Sequence, residues 1–184
     1  MGDDWIVALG LDLTDVKKQE RQLEKLVDEN FKLANIDELT GLSNRRHFVG
    51  EVDRLLDASN HTGDAFTLGL LDLDGFKLVN DVHGHPMGDK LLKEVAARLN
   101  ATLSADQFKA RLGGDEFAIL MPGEFSSAEL EDLARRICSA IEDPFELGDE
   151  RIRVGASIGF ASYPDAGNTR AVIMSRADFA LYHA

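Results

Sequence analysis

Apolar residues recur along this chain with two periods, and each change of period marks an element. Residues 5–13 form a short, mostly apolar run that reads as a strand. Residues 16–35 are charged and lack Gly and Pro. Val16, Leu23, Leu26 and Leu33 there fall on heptad a and d positions, with Asn30 at an a position. That spacing predicts a coiled-coil helix, in which a single Asn at a favours one register. A solitary amphipathic helix packed on its own domain is the other reading. Thr14 or Asp15 is placed to cap it.

From Ile36 onward the pattern predicts a helix over 44–56, a strongly apolar strand over 66–73 and a short helix within 77–82. A Gly/His turn follows, then a helix over 87–103. Strands are predicted at 108–112 and 116–121, on either side of Gly113-Gly114. Ser126 and Glu129 have the spacing of a capping box and open a helix to about Ile141. A long strand over 151–163 and a helix over 170–183 close the chain. Strands alternating with helices, with one tight hairpin, argue an α/β (α+β) fold with a mixed central sheet. Three segments are expected: 1–15, 16–35 as a linker helix, and 36–184 as the main domain.

Composition narrows the function classes. Hydrophobic residues make up 44% of the 184 positions, enough for a sizeable core. No apolar run approaches the ~20 residues of a membrane span, and the acidic start lacks the basic and apolar regions of a signal peptide. The net charge of −13 argues against nucleic acid, whose phosphates call for a basic face. It permits a nucleotide held through a divalent metal. The single cysteine, Cys138, excludes an intrachain disulfide. It lies in an apolar stripe with Leu130, Leu133, Ile137 and Ile141 and reads as a core residue; a reduced, cytoplasmic setting is expected.

Three clusters carry candidate chemistry. Gly113-Gly114 between apolar runs is a hairpin signal, because both central residues of a type I′ turn need positive φ. Alone it reads as an ordinary turn followed by two solvated acids. The same glycines would also let backbone approach a phosphate, with Asp115 and Glu116 beside it for a metal. In the second cluster, Asp72 and Asp74 end an apolar strand. Alternation puts both on one face and Leu73 on the other. Helix capping accounts for Asp74 but not for Asp72, which still lies within the strand pattern. The third cluster contains Asn80, His83, His85 and Asp89. An amide and a carboxylate together can read guanine, whereas Asp89 alone can simply favour a helix N-terminus. His83 and His85 lack Cys or His partners at zinc spacing. Together the clusters describe metal-assisted phosphoryl transfer.

The sequence resembles the GGDEF family of diguanylate cyclases. Arg111-Leu112-Gly113-Gly114-Asp115-Glu116-Phe117 carries the family's signature. Asp37 to Arg46, Asp72 to Lys77 with Asn80-Asp81, Gly84-His85 with Gly88-Asp89, Ser157-Ile158-Gly159 and Ala177 to Tyr182 match further motifs in order. The resemblance runs from about Ile36 to Ala184. It implies a fold like that of nucleotidyl cyclases and polymerase palms. It implies Asp72, the Leu73 carbonyl and Asp115 as ligands of Mg²⁺ or Mn²⁺, two ions per half-site, with Glu116 close by. Asp115 is then also the candidate base, and Asp115 with Glu116 form the catalytic pair. Phe76 and Lys77 would meet phosphates, and Asn80 and Asp89 guanine, with His85 ordering that site. Leu39 and Leu92 would wall the base pocket, while Gly113 and Gly114 admit GTP. The reaction implied joins two GTP into cyclic di-GMP in a homodimer, through the linker helix and facing catalytic domains. The start of the chain resembles the last strand of a PAS sensor domain.

Two departures stand out. The family's Arg-x-x-Asp product-binding motif falls here on Ser104 and Gln107, so strong product inhibition is not expected through it. A family Lys that reaches a GTP phosphate would fall just after Ala184. The alternatives to an active cyclase are a GTP-binding regulatory module with weak catalysis, and a dimerisation piece of a sensor protein.

Overall fold

The structure, a computed structural model, describes residues 14–184; the strand expected at 5–13 lies outside them. The chain divides after Ala34 into two units. In the first, helix α1 (Thr14–Asn35) carries exposed Leu23, Leu26 and Leu33. Among the described residues no helix is long and apolar enough to cross a membrane.

The second unit is built on a five-stranded sheet. Its order is β1 (Ser43–Asn44), β3 (Phe108–Gly113), β4 (Glu116–Pro122), β2 (Phe66–Asp74) and β7 (Gly155–Tyr163). β1 runs parallel to β3, and the other neighbours are antiparallel. The interior strand β2 is buried on both faces, which explains its nearly continuous apolar run. Leu71 and Leu73 join Phe117, Ile119 and Ile158 under α3 (Phe76–His83), α4 (His85–Thr102) and α5 (Ser127–Glu142). Phe66, Leu68 and Leu70 join Ala118, Leu120 and Ala161 under α2 (Arg45–Thr62) and α6 (Arg170–Tyr182). Each Leu, Ile or Phe among them contributes roughly 1.5–3 kcal/mol when fully buried. The sheet is therefore held from both sides, and its strand ends are fixed in space.

Local signals account for the helix starts. Asn44 caps α2 by accepting from the His47 N–H at 3.0 Å. The capping box at Ser126 and Glu129 is formed in both directions. At Gly84, φ is +82°, and this one residue ends α3 and begins α4. Cys138 is half-buried and its Sγ donates to the Ala156 carbonyl at 3.2 Å.

One predicted element is corrected. The long strand expected over 151–163 is two strands, because the chain leaves the main sheet between them. β6 (Glu150–Ile152) pairs with β5 (Phe145–Leu147) in a separate hairpin, and β7 starts only at Gly155. Phe145, Leu147, Ile152 and Val154 bury against the α3–α5 side of the core. The alternation of Ile152 and Val154 runs on without a gap through Ala156 into Ile158, which conceals the break in the sequence.

Candidate active site

The C-terminal end of β2 brings the acidic residues together. Asp72 lies opposite Glu116 on β4 and opposite Ser157 on β7. Leu73 is buried in the α3–α5 core, so only its backbone is available to the site. Asp74 lies opposite Gly155, where an added Cβ would come within 3.0 Å of Asp74 Oδ2. The Ser157 hydroxyl approaches both Asp74 carboxylate oxygens at 3.4 Å. These groups open on a cleft of about 580 Å³, walled on its far side by Asp178, Phe179 and Tyr182 of α6. Gly159 lets α6 sit there, since a Cβ would lie 2.1 Å from the Leu181 nitrogen.

The hairpin differs in detail from the expected turn. Gly113 still pairs with Glu116, so the reversal is made by Gly114 and Asp115. Gly114 has φ +55°, whereas no residue other than Gly has positive φ among those described. Type I′, which needs positive φ at both central residues, is thereby excluded. The Arg111 guanidinium holds the tip, donating to the Gly114 carbonyl at 3.1 and 2.8 Å. Its Nη1 also meets the Asp37 carboxylate at 3.3 Å. Asp37 accepts from the Thr40 hydroxyl at 2.6 Å and the Thr40 N–H at 2.9 Å. Burial would raise the Asp37 pKa, but the Thr40 bonds and the Arg111 charge bring it below the ordinary carboxylate value.

Charge is concentrated at Asp72. Burial, followed by repulsion from Asp115, Glu116 and Asp74, pushes its pKa up to about 6. Such crowding is what a divalent cation relieves. Among the described residues no three His, Cys, Asp or Glu side chains form a ready metal cage. Mg²⁺ does not need one, because it uses one or two carboxylates and takes phosphate oxygens and water for the rest. The donor set of Asp72, Asp115 and the Leu73 carbonyl fits such an ion.

Just beyond the carboxylates, α3 begins at Gly75 with φ +82° and no side-chain cap. Its first N–H groups therefore suit an anion. Phe76 is buried and Lys77 exposed in that first turn. The helices α3 and α4 pack closely enough that a Cβ on Gly88 would lie 2.0 Å from Asn80 Oδ1. Asn80 therefore lies against the turn that carries Asp89, whose side chain is exposed, as is that of His85 at the start of α4. Leu92 is buried in the core beneath, and Leu39 packs against the same cluster. Ser104 and Gln107 lie apart from the carboxylates, on a second cavity of about 720 Å³ between the ends of α4 and α5. Gln107 Oε1 accepts there from the Ser104 N–H at 3.0 Å.

Residues 34–184 match the family described as "Diguanylate cyclase, GGDEF domain". The chain belongs to this family. MucR of Pseudomonas aeruginosa, a bifunctional diguanylate cyclase/cyclic di-GMP phosphodiesterase, is 40% identical over 85% of the chain and 23% of its own length. The response regulator PleD of Caulobacter vibrioides is 36% identical over 91% of the chain and 37% of its own length. The chain thus spans well under half of these curated relatives. The coiled coil and GGDEF domain of DgcB from Caulobacter crescentus, solved with c-di-GMP, superimposes with a TM-score of 0.82 at 29% identity, covering 92% of the chain and 90% of that one. The GGDEF fold expected from the sequence is the one observed.

In the sequence, Arg45 and Gly88 stand out only as members of longer motifs. Arg45 donates to the Leu112 carbonyl, 67 positions away, and to Glu116. No local pattern signals a contact of that range.

Proposed function

We propose that this domain condenses two GTP molecules into cyclic di-GMP with release of two pyrophosphates. The observation that carries the reading is the register of Asp72 with Glu116 at the hairpin of Asp115, which crowds carboxylates around Asp72 and raises its pKa. Asp72, Asp115 and the Leu73 carbonyl would hold Mg²⁺ or Mn²⁺, two per half-site. Bound there, the metal lowers the pKa of an attacking hydroxyl and offsets charge on the phosphates.

The residues of the chain then divide the work. Asn80 and Asp89 read the guanine, His85 orders that site, and Leu39 and Leu92 back the base. The free N–H groups at Phe76 and Lys77 meet the phosphates. Asp115 accepts the proton of a ribose 3′-hydroxyl, whose oxygen attacks the α-phosphorus of the other GTP in line with departing pyrophosphate. Glu116 lies beside it. Gly113 and Gly114 keep the hairpin clear for the nucleotide.

Each domain supplies one GTP, so two must face each other across a two-fold axis. The exposed Leu23, Leu26 and Leu33 of α1 supply an apolar seam for pairing two chains. The protein acts in the cytoplasm, as output of a PAS-like sensor. A second reading is a GTP-binding regulatory module; PdeR of Escherichia coli, named a cyclic di-GMP phosphodiesterase, is 37% identical over 98% of this chain. Incubation with GTP and Mg²⁺, followed by chromatography, separates the two. Cyclic di-GMP that disappears with EDTA supports the cyclase; bound GTP without product supports the module.

A further inference from the structure

The signature hairpin carries an irregularity with a chemical consequence. β3 pairs Arg111 with Phe117, and the next pair is Gly113 with Glu116. Leu112 is thus one residue too many on β3, a bulge of the kind that disrupts the ladder and re-aims neighbouring side chains. Its carbonyl is taken by a residue from outside the sheet. Arg45, the first residue of α2, donates from Nε to Leu112 O at 2.8 Å. The same guanidinium donates from Nη2 to Glu116 Oε2 at 3.0 Å. Nε and Nη2 lie along one edge of the planar fork, so both bonds are made in a single orientation.

We infer that Arg45 is a positioning residue that holds the Glu116 carboxylate off the divalent cation, leaving the ion to Asp72 and Asp115. This rests on the metal-dependent reading above. An exposed ion pair is ordinarily weak because two long side chains must be held still. Here the bulge carbonyl already holds one of them. Glu116 stands directly across from Asp72, so on release it would become a third carboxylate at the ion. A third carboxylate would tighten the ion and occupy a position that a nucleotide phosphate needs, since Mg²⁺ sites that handle phosphates keep to one or two carboxylates. Arg45 therefore trades metal affinity for open coordination.

The test is Mn²⁺ binding to the nucleotide-free protein, read from the loss of the free-ion paramagnetic resonance signal. Arg45→Gln is expected to bind Mn²⁺ about three- to tenfold more tightly than wild type, the scale of one added charged ligand. In a Glu116→Gln background the same substitution is expected to change affinity by less than about twofold, because its target is gone. Arg45→Lys keeps the charge but loses the fork and should fall between wild type and Arg45→Gln; it carries the test if the Gln variant does not fold. Equal affinity in wild type and both Arg45 variants overturns the inference alone, as does a tightening that persists without Glu116. Absence of Mn²⁺ binding in every protein overturns the metal reading and this inference with it.

Discussion

Asp72 sits among three other carboxylates, and its proton affinity records that company. Its folded pKa, about 6, lies above the ordinary 3.8. Between those values the folded protein holds a proton that the unfolded chain has lost. Stability is therefore greatest below the lower value and falls as pH rises through the upper one. Asp72→Asn should remove that penalty. In EDTA at about pH 7.5 the variant is expected to melt about 1–3 °C higher, after discounting for solvent screening, and to match wild type near about pH 4. Its cyclase activity should be lost. An equal shift at both pH values in thermal melts would count against the account. Gly88 makes a second residue-scale case. A methyl there meets the end of the Asn80 side chain, which can swing away, and the Phe76 ring at 3.2 Å. Gly88→Ala is expected to fold, with KM for GTP raised about 5–10-fold, the worth of one hydrogen bond, and kcat little changed. Steady-state kinetics with GTP would show the opposite split if Asn80 did not read the base.

At the scale of elements, the helix ends and turns decide how firmly the site is framed. The end of α5 is closed by Arg98 of α4. Its guanidinium donates to the carbonyls of Ala140 at 2.8 Å, Pro144 at 2.7 Å and Asp143, and lies 3.4 Å over the Phe145 ring. One side chain thereby satisfies carbonyls that a helix end leaves open. Arg98→Ala is expected to cost about 2–3 kcal/mol in urea unfolding while leaving KM for GTP unchanged. Lys should not rescue it, since a point charge cannot serve several carbonyls and stack on a ring. A loss below about 0.5 kcal/mol would mean that water serves those carbonyls as well as the arginine does. The capping box at Ser126 was legible as residue types at fixed spacing. The Arg98 cap was not, because its acceptors lie 42 to 46 positions away.

For the whole molecule, the reaction needs two nucleotides and hence two domains. If the exposed leucines of α1 pair two chains, Leu26→Pro breaks the helix at its seam. Specific activity at low protein concentration should then fall at least about tenfold and recover as concentration rises, in the manner of a weakened dimer. Activity independent of both concentration and the substitution would place the pairing elsewhere. The second cavity carries Ser104 and Gln107 at the two positions where the family's product-binding motif has Arg and Asp, although Asp132 and Arg136 of α5 also line it. Micromolar cyclic di-GMP is accordingly expected to leave the rate unchanged within about twofold, measured as pyrophosphate release.

What the sequence determined by itself was everything that depends on neighbours along the chain. Period-2 alternation put Asp72 and Asp74 on one face of β2 and Leu73 on the other, and the structure keeps them there. The glycines marked the hairpin, and the ordered motifs named the family. Local steric preference and side-chain period are properties of a few consecutive residues. The tertiary structure alone decided which strand lies beside which. It set Asp72 across from Glu116, shifted the reversal to Gly114-Asp115, broke the long strand before Gly155, and carried Arg45 to the bulge at Leu112. These outcomes depend on how separate elements pack over a shared core. No window of sequence contains that information, because the partners meet only when the two faces of the sheet are buried together.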